Sequence, residues 1–160
     1  MATPDFILSL RETIGNAMLW FPGVTAVVLR EGADTTAEVL LVKRADTGAW
    51  TPVTGIIDPG EEPAIAGARE VLEEADVVAE AVQMVRVRAL PETVYDNGDR
   101  AQYLDLTFRF RYISGDPHPA DGENLEARWF PVDAMPQMSE DMQSRVGAAL
   151  RADAGVDFVS

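Results

Sequence analysis

Cysteine is absent from the 160 residues and histidine occurs once, so disulfides, thiolate metal sites and thiol nucleophiles are excluded. Any metal must be held by oxygen or by His118. Positive charge is also scarce: 13 Lys and Arg stand against 27 Asp and Glu, for a net charge of −14. That balance argues against binding duplex DNA, where affinity comes mostly from neutralising phosphates. No apolar run approaches the roughly 20 residues of a membrane helix. The opening "MATPDFILSLRETIG" has no basic region followed by an apolar stretch and a cleavage site, so the expectation is a soluble cytoplasmic protein. A chain of this length buries a core without staples, and a single domain over residues 1–160 is expected.

Phe6, Ile7, Leu10, Ile14, Ala17 and Met18 recur at helical spacing, which predicts an amphipathic first helix over about 3–18. It either covers the core or forms a homodimer contact. "GVTAVVLRE" and "AEVLLVKR" are rich in β-branched residues and predict two strands, followed by a short one through Trp50 to Ile57. Pro63 suits the first turn of a helix running to about Ala75. "VVAEAVQMVRVRAL" and "AQYLDLTFRFRYI" alternate as strands do, with the Asn97-Gly98 turn signal between them. In the second of these, Leu104, Leu106, Phe108 and Phe110 oppose Asp105, Thr107, Arg109 and Arg111. A last strand, "LEARWFPV", precedes a helix that begins at Ser139. The order predicts an α/β sandwich with a mixed sheet between helices.

The helix after Pro63 raises a physical question. Glu70, Glu73 and Glu74 lie three or four residues apart on one face, where like charges repel by a few tenths of a kcal/mol per pair. Arg69 supplies one cation for three anions. A hard divalent cation would offset the remainder, since Mg²⁺ prefers oxygen ligands and shares its shell with phosphates. Glu61, Glu62 and these three glutamates could equally form a solvated face.

The surrounding pattern decides between the two. The stretch from Gly55 to Val77 resembles the signature of the Nudix hydrolases, G-x5-E-x7-R-E-U-x-E-E-x-G-U with U a bulky aliphatic residue. Gly55, Glu61, Arg69, Glu70, Val71, Glu73, Glu74 and Val77 meet it, and Asp76 stands where the motif has its second glycine. Average residue usage puts a chance match of this quality on the order of 10⁻⁵ in a chain this long. Asp is among the few other residues that enter the left-handed conformation wanted there, at a cost of roughly 1 kcal/mol.

The resemblance implies a Mg²⁺- or Mn²⁺-dependent hydrolase that cleaves the diphosphate linkage of a nucleoside diphosphate joined to another moiety. By the same resemblance Glu70 and Glu74 are metal ligands, and Glu73 is a ligand or base beside them. The Gly55 carbonyl is a further ligand, Arg69 orients the carboxylates, and Glu61 braces the loop presenting Gly55. Glu123 or Glu126 supplies a later acidic group, with Glu123 favoured for its place in the loop. Trp50, Tyr95 and Tyr103 are candidates for stacking on a base, and Arg109 for meeting phosphates, with core packing or a solvated sheet face as the alternatives. His118 reads as an exposed loop residue. A Nudix-fold nucleotide sensor without turnover is the alternative to the enzyme.

Overall fold

The computed structural model describes residues 3–151, 153 and 155–160. Among these residues eight strands form one mixed sheet around β1 (Leu19–Glu31). β1 is flanked by β2 (Ala37–Arg44), antiparallel, and by β7 (Arg100–Ser114), parallel from Leu19 opposite Ala101 to Leu29 opposite Arg111. β5 (Val78–Ala89) continues the sheet beyond β7. Two short strands, β3 (Trp50–Thr51) and β4 (Val53–Ile56), replace the single expected one and pair with β2 and β1 respectively. β6 (Thr93–Val94) pairs with β7 around the Asn97-Gly98 turn, where Gly98 takes φ +86°. β8 (Asn124–Pro131) adds to β2.

Helices cover both faces. β1 is buried on each side, as its run of small and β-branched residues suits. Ala26 and Val28 pack with Val71 and Ala75 of α2 (Pro63–Ala75), while Val27 and Leu29 pack with Val146 and Ala149 of α3 (Glu140–Leu150). Alternate residues of one strand therefore serve opposite layers. Phe110, fully buried beneath α2, contributes roughly 2–3 kcal/mol of apolar burial. Ser139 caps α3 by accepting a hydrogen bond from the Met142 N–H.

The first helix, α1 (Asp5–Ile14), is shorter than the expected 3–18 because Gly15 turns the chain at φ +56°. Its Ile7 packs on Phe21 and Ile56, while Leu8, Leu10 and Ile14 stay exposed. No helix among the described residues is long and apolar enough to cross a membrane.

Candidate active site

α2 begins with Pro63, which surrenders no needed hydrogen bond, and ends at Asp76, whose φ of +53° and ψ of +37° are left-handed. Between them the helix turns Glu70 and Glu74 inward, at 3 % and 1 % exposure. Burial pushes Glu70 up to about 7, with the charges of Glu74 and Glu73 acting in the same direction. Burial also raises Glu74. Glu73 is exposed.

Gly55 lies on β4 directly under Glu70. A Cβ there would overlap the Glu70 carboxyl group, so only glycine lets the carboxylate approach the backbone this closely. Arg69 ties the assembly together. Its guanidinium donates to both oxygens of Glu61 (2.8 and 2.9 Å), to Glu70 Oε1 (3.0 Å), to Glu73 Oε2 (3.2 Å) and to the Ile56 carbonyl (3.2 Å). That fork holds Glu61 below the usual carboxylate range. Glu61 in turn accepts the Asp58 N–H, closing the loop after Gly55 around the Pro59-Gly60 turn.

These groups open onto a cleft of about 490 Å³, lined by Asp58, Arg69, Glu70, Glu73, Asp121 and Glu123 among others. Five carboxylates there face one guanidinium. Glu123 lies just before β8, whereas Glu126 is inside it and bonds Lys43 at 3.2 Å. Among the described residues no three acidic or histidine side chains already converge as a cation cage. Arg69 draws on Glu70 and Glu73, and Asn124 Nδ2 donates to Glu74 Oε2 at 3.0 Å. Glu74 Oε1 is buried with no hydrogen-bond partner. An all-oxygen donor set, a carboxylate oxygen buried without a partner and a backbone cradle fit a hard divalent cation.

A second cavity of about 340 Å³ lies across β4 and shares Ile56 with the cleft. Tyr95, Tyr103, Arg44, Asp105 and Arg145 line it together with Gly55. The Tyr95 and Tyr103 hydroxyls are 2.6 Å apart, and burial raises the Tyr103 phenol. Trp50 is elsewhere, packed edge-on against Phe130 in the core beneath α3. Arg109 lines a separate groove with Arg30 and Arg111.

Asp105 and Thr107 are buried, as is Arg86, while Arg109 is half-buried and Arg111 exposed, so these strands carry polar residues on a covered face as well as a solvated one. Asp105 Oδ1 accepts from Thr25 Oγ1 (2.6 Å) and Arg145 Nη1 (3.2 Å), and Oδ2 accepts from Thr107 Oγ1 (2.7 Å). Arg145 and Arg86 both reach Asp141. This network was missed because alternation marks which residues share a face and not whether a helix covers it. An aspartate set within the apolar run "YLDLTF" was the available signal.

Comparison with known proteins places the chain among relatives of one kind. The NUDIX domain matches residues 20–150. The NAD-capped RNA hydrolase NudC of Deinococcus radiodurans is 31% identical over 118 residues, 73% of this chain and 39% of that protein. The 8-oxo-dGDP phosphatase NUDT18 of Mus musculus is 32% identical over 136 residues, 83% of this chain and 37% of its own length. The chain thus spans about two fifths of these curated relatives. Its fold superposes on the NUDIX domain of Shewanella oneidensis NrtR, solved with ADP ribose, at a TM-score of 0.68 and 17% identity, covering 95% of this chain and 100% of that one.

Proposed function

The chain belongs to the NUDIX domain family, and on that footing we propose that it is a cytoplasmic pyrophosphohydrolase that uses Mg²⁺ or Mn²⁺ to cleave nucleoside diphosphate derivatives. The observation that carries the reading is the pair of buried carboxylates on one turn of α2, Glu70 against Gly55 and Glu74 with an unpartnered oxygen, the first of which lines a cleft together with Glu73, Asp58, Asp121 and Glu123.

Glu70, Glu74, Glu73 and the Gly55 carbonyl would hold the cation. When bound, it supplies positive charge to the diphosphate oxygens and acidifies a water molecule. Arg69 keeps Glu70 and Glu73 oriented while Glu61 anchors Arg69 to the loop. Glu73 or Glu123, both of which line the cleft, would accept the proton of the attacking water. Tyr95 and Tyr103, which line the adjoining cavity, would stack on a base there.

Product release from ADP-ribose, a nucleotide sugar, a diadenosine polyphosphate and nucleoside triphosphates, with and without Mg²⁺ or Mn²⁺, tests the proposal. Cleavage that requires metal and is lost in Glu74→Gln supports it. Nucleotide binding without cleavage of any of these would replace it with the sensor reading.

A further inference from the structure

We infer that Asn124 is the positioning residue for Glu74, a role that rests on the metal-site reading above. Asn124 opens β8 and is 5 % exposed, and its amide makes the contact to Glu74 Oε2.

What aims it there is an irregularity in the sheet. Along β2 and β8, Lys43 pairs with Glu126 but Arg44 pairs with Asn124, so Leu125 is passed over and bulges out, 57 % exposed. Side chains alternate across a strand, and Ala127 packs into the core on the α2 face. Without the bulge, Leu125 would share that face and Asn124 would point to the opposite one. One extra residue returns Asn124 to the α2 side, where Glu74 lies.

The preceding loop is fixed to the same helix. The His118 and Ala120 N–H groups donate to the Ala75 and Glu74 carbonyls, both at 3.2 Å, satisfying acceptors that the helix end leaves open. Gly115, at φ +104°, lets the loop pass the left-handed Asp76, because a Cβ there would overlap the Asp76 carbonyl. The Ala45 N–H holds the Glu123 carbonyl at 2.9 Å. Asn124 is therefore held from both sides, and the hydrogen bond from its Nδ2 occupies Oε2 and leaves Oε1 as the oxygen for a cation. The amide also neutralises nothing, so it orients Glu74 without competing for its charge.

The test is Mn²⁺ binding by the full chain, read by electron paramagnetic resonance, for the native protein, Glu74→Gln, Asn124→Leu and the double variant. Leucine removes the donor while keeping the branched side-chain skeleton. Asn124→Leu alone is expected to weaken Mn²⁺ binding about 10- to 100-fold. In the Glu74→Gln background it is expected to add nothing, a coupling that a purely structural role would not produce. Native affinity in Asn124→Leu, or losses that multiply in the double variant, overturns the inference. If Glu74→Gln binds Mn²⁺ normally, the metal-site reading of Glu74 falls and the inference falls with it. If Glu74→Gln weakens binding and Asn124→Leu does not, only the inference falls. Should Asn124→Leu lose its fold by circular dichroism, Asn124→Ala takes its place in the same cycle.

Discussion

The two faces of the sheet bury charge in different ways. Under α3, Arg86 and Arg145 meet Asp105 and Asp141, so positive and negative groups balance within the network. On the α2 side, Glu70 and Glu74 are buried beside a cleft of further carboxylates, with Arg69 the guanidinium lining it. The network under α3 balances its charges and ties a helix to strands, although Arg86 Nε and Nη1 are buried without a hydrogen-bond partner. An unbalanced one is left with negative charge, which a bound cation would offset.

The sharpest way to break this contrast is to remove one charge from each side. Glu74→Gln should reduce metal-dependent turnover on the order of 10³-fold, since a bound cation is worth several kcal/mol to the transition state, while the metal-free protein remains folded. Arg145→Ala should do the reverse. It leaves Arg86 as the one cation for Asp105 and Asp141 and should cost about 3 kcal/mol in urea unfolding, with or without metal. Equal losses of stability in the two variants would erase the distinction.

pH separates the faces next. Between about 4.5 and about 7 the folded chain holds on Glu70 a proton that the unfolded chain has released. Stability from this group therefore falls as pH rises across that window, by about 3 kcal/mol. Glu70→Gln should remove that slope from a series of urea titrations, and saturating Mg²⁺ should counter it above pH 7. At Asp141 burial opposes ionisation, but Arg145 and Arg86 outweigh it and hold the carboxyl below its ordinary value. Its contribution is present above pH 3.8 and is lost as pH falls through the folded value. Asp141→Asn should blunt that acid loss, and metal should not affect it.

The smallest effect lies at the helix end. Asp76→Gly relieves a left-handed residue that carries a Cβ, and should raise stability by roughly 1 kcal/mol without changing turnover. A change in turnover there would mean that the Asp76 carboxylate, 3.8 Å from His118, takes part in the α2 site.

Much of the α2 side was legible in the sequence because its information is local. Gly55, Glu61, Arg69, Glu70, Glu73 and Glu74 sit at offsets that a loop and a helix translate directly into a shared surface, and Pro63 and Asp76 mark where that helix begins and ends. The opposite side was not legible. Thr25, Arg86, Asp105, Asp141 and Arg145 come from four separate elements, and only a parallel pairing of β1 with β7 under α3 brings them together. Trp50 and Arg109 illustrate the same limit, since each was a plausible ligand contact by composition and each lies away from the cleft.

The amino-acid sequence by itself determined the element types, the mixed α/β class and the glutamate-bearing turn of α2, because periodicity, capping and short spacings act within a few residues of chain. Tertiary structure alone decided which charges are neutralised. Whether a carboxylate meets an arginine, an asparagine or an open cleft depends on strand register, on the bulge at Leu125 and on which helix closes over each face, and those are set by burial of the whole core at once.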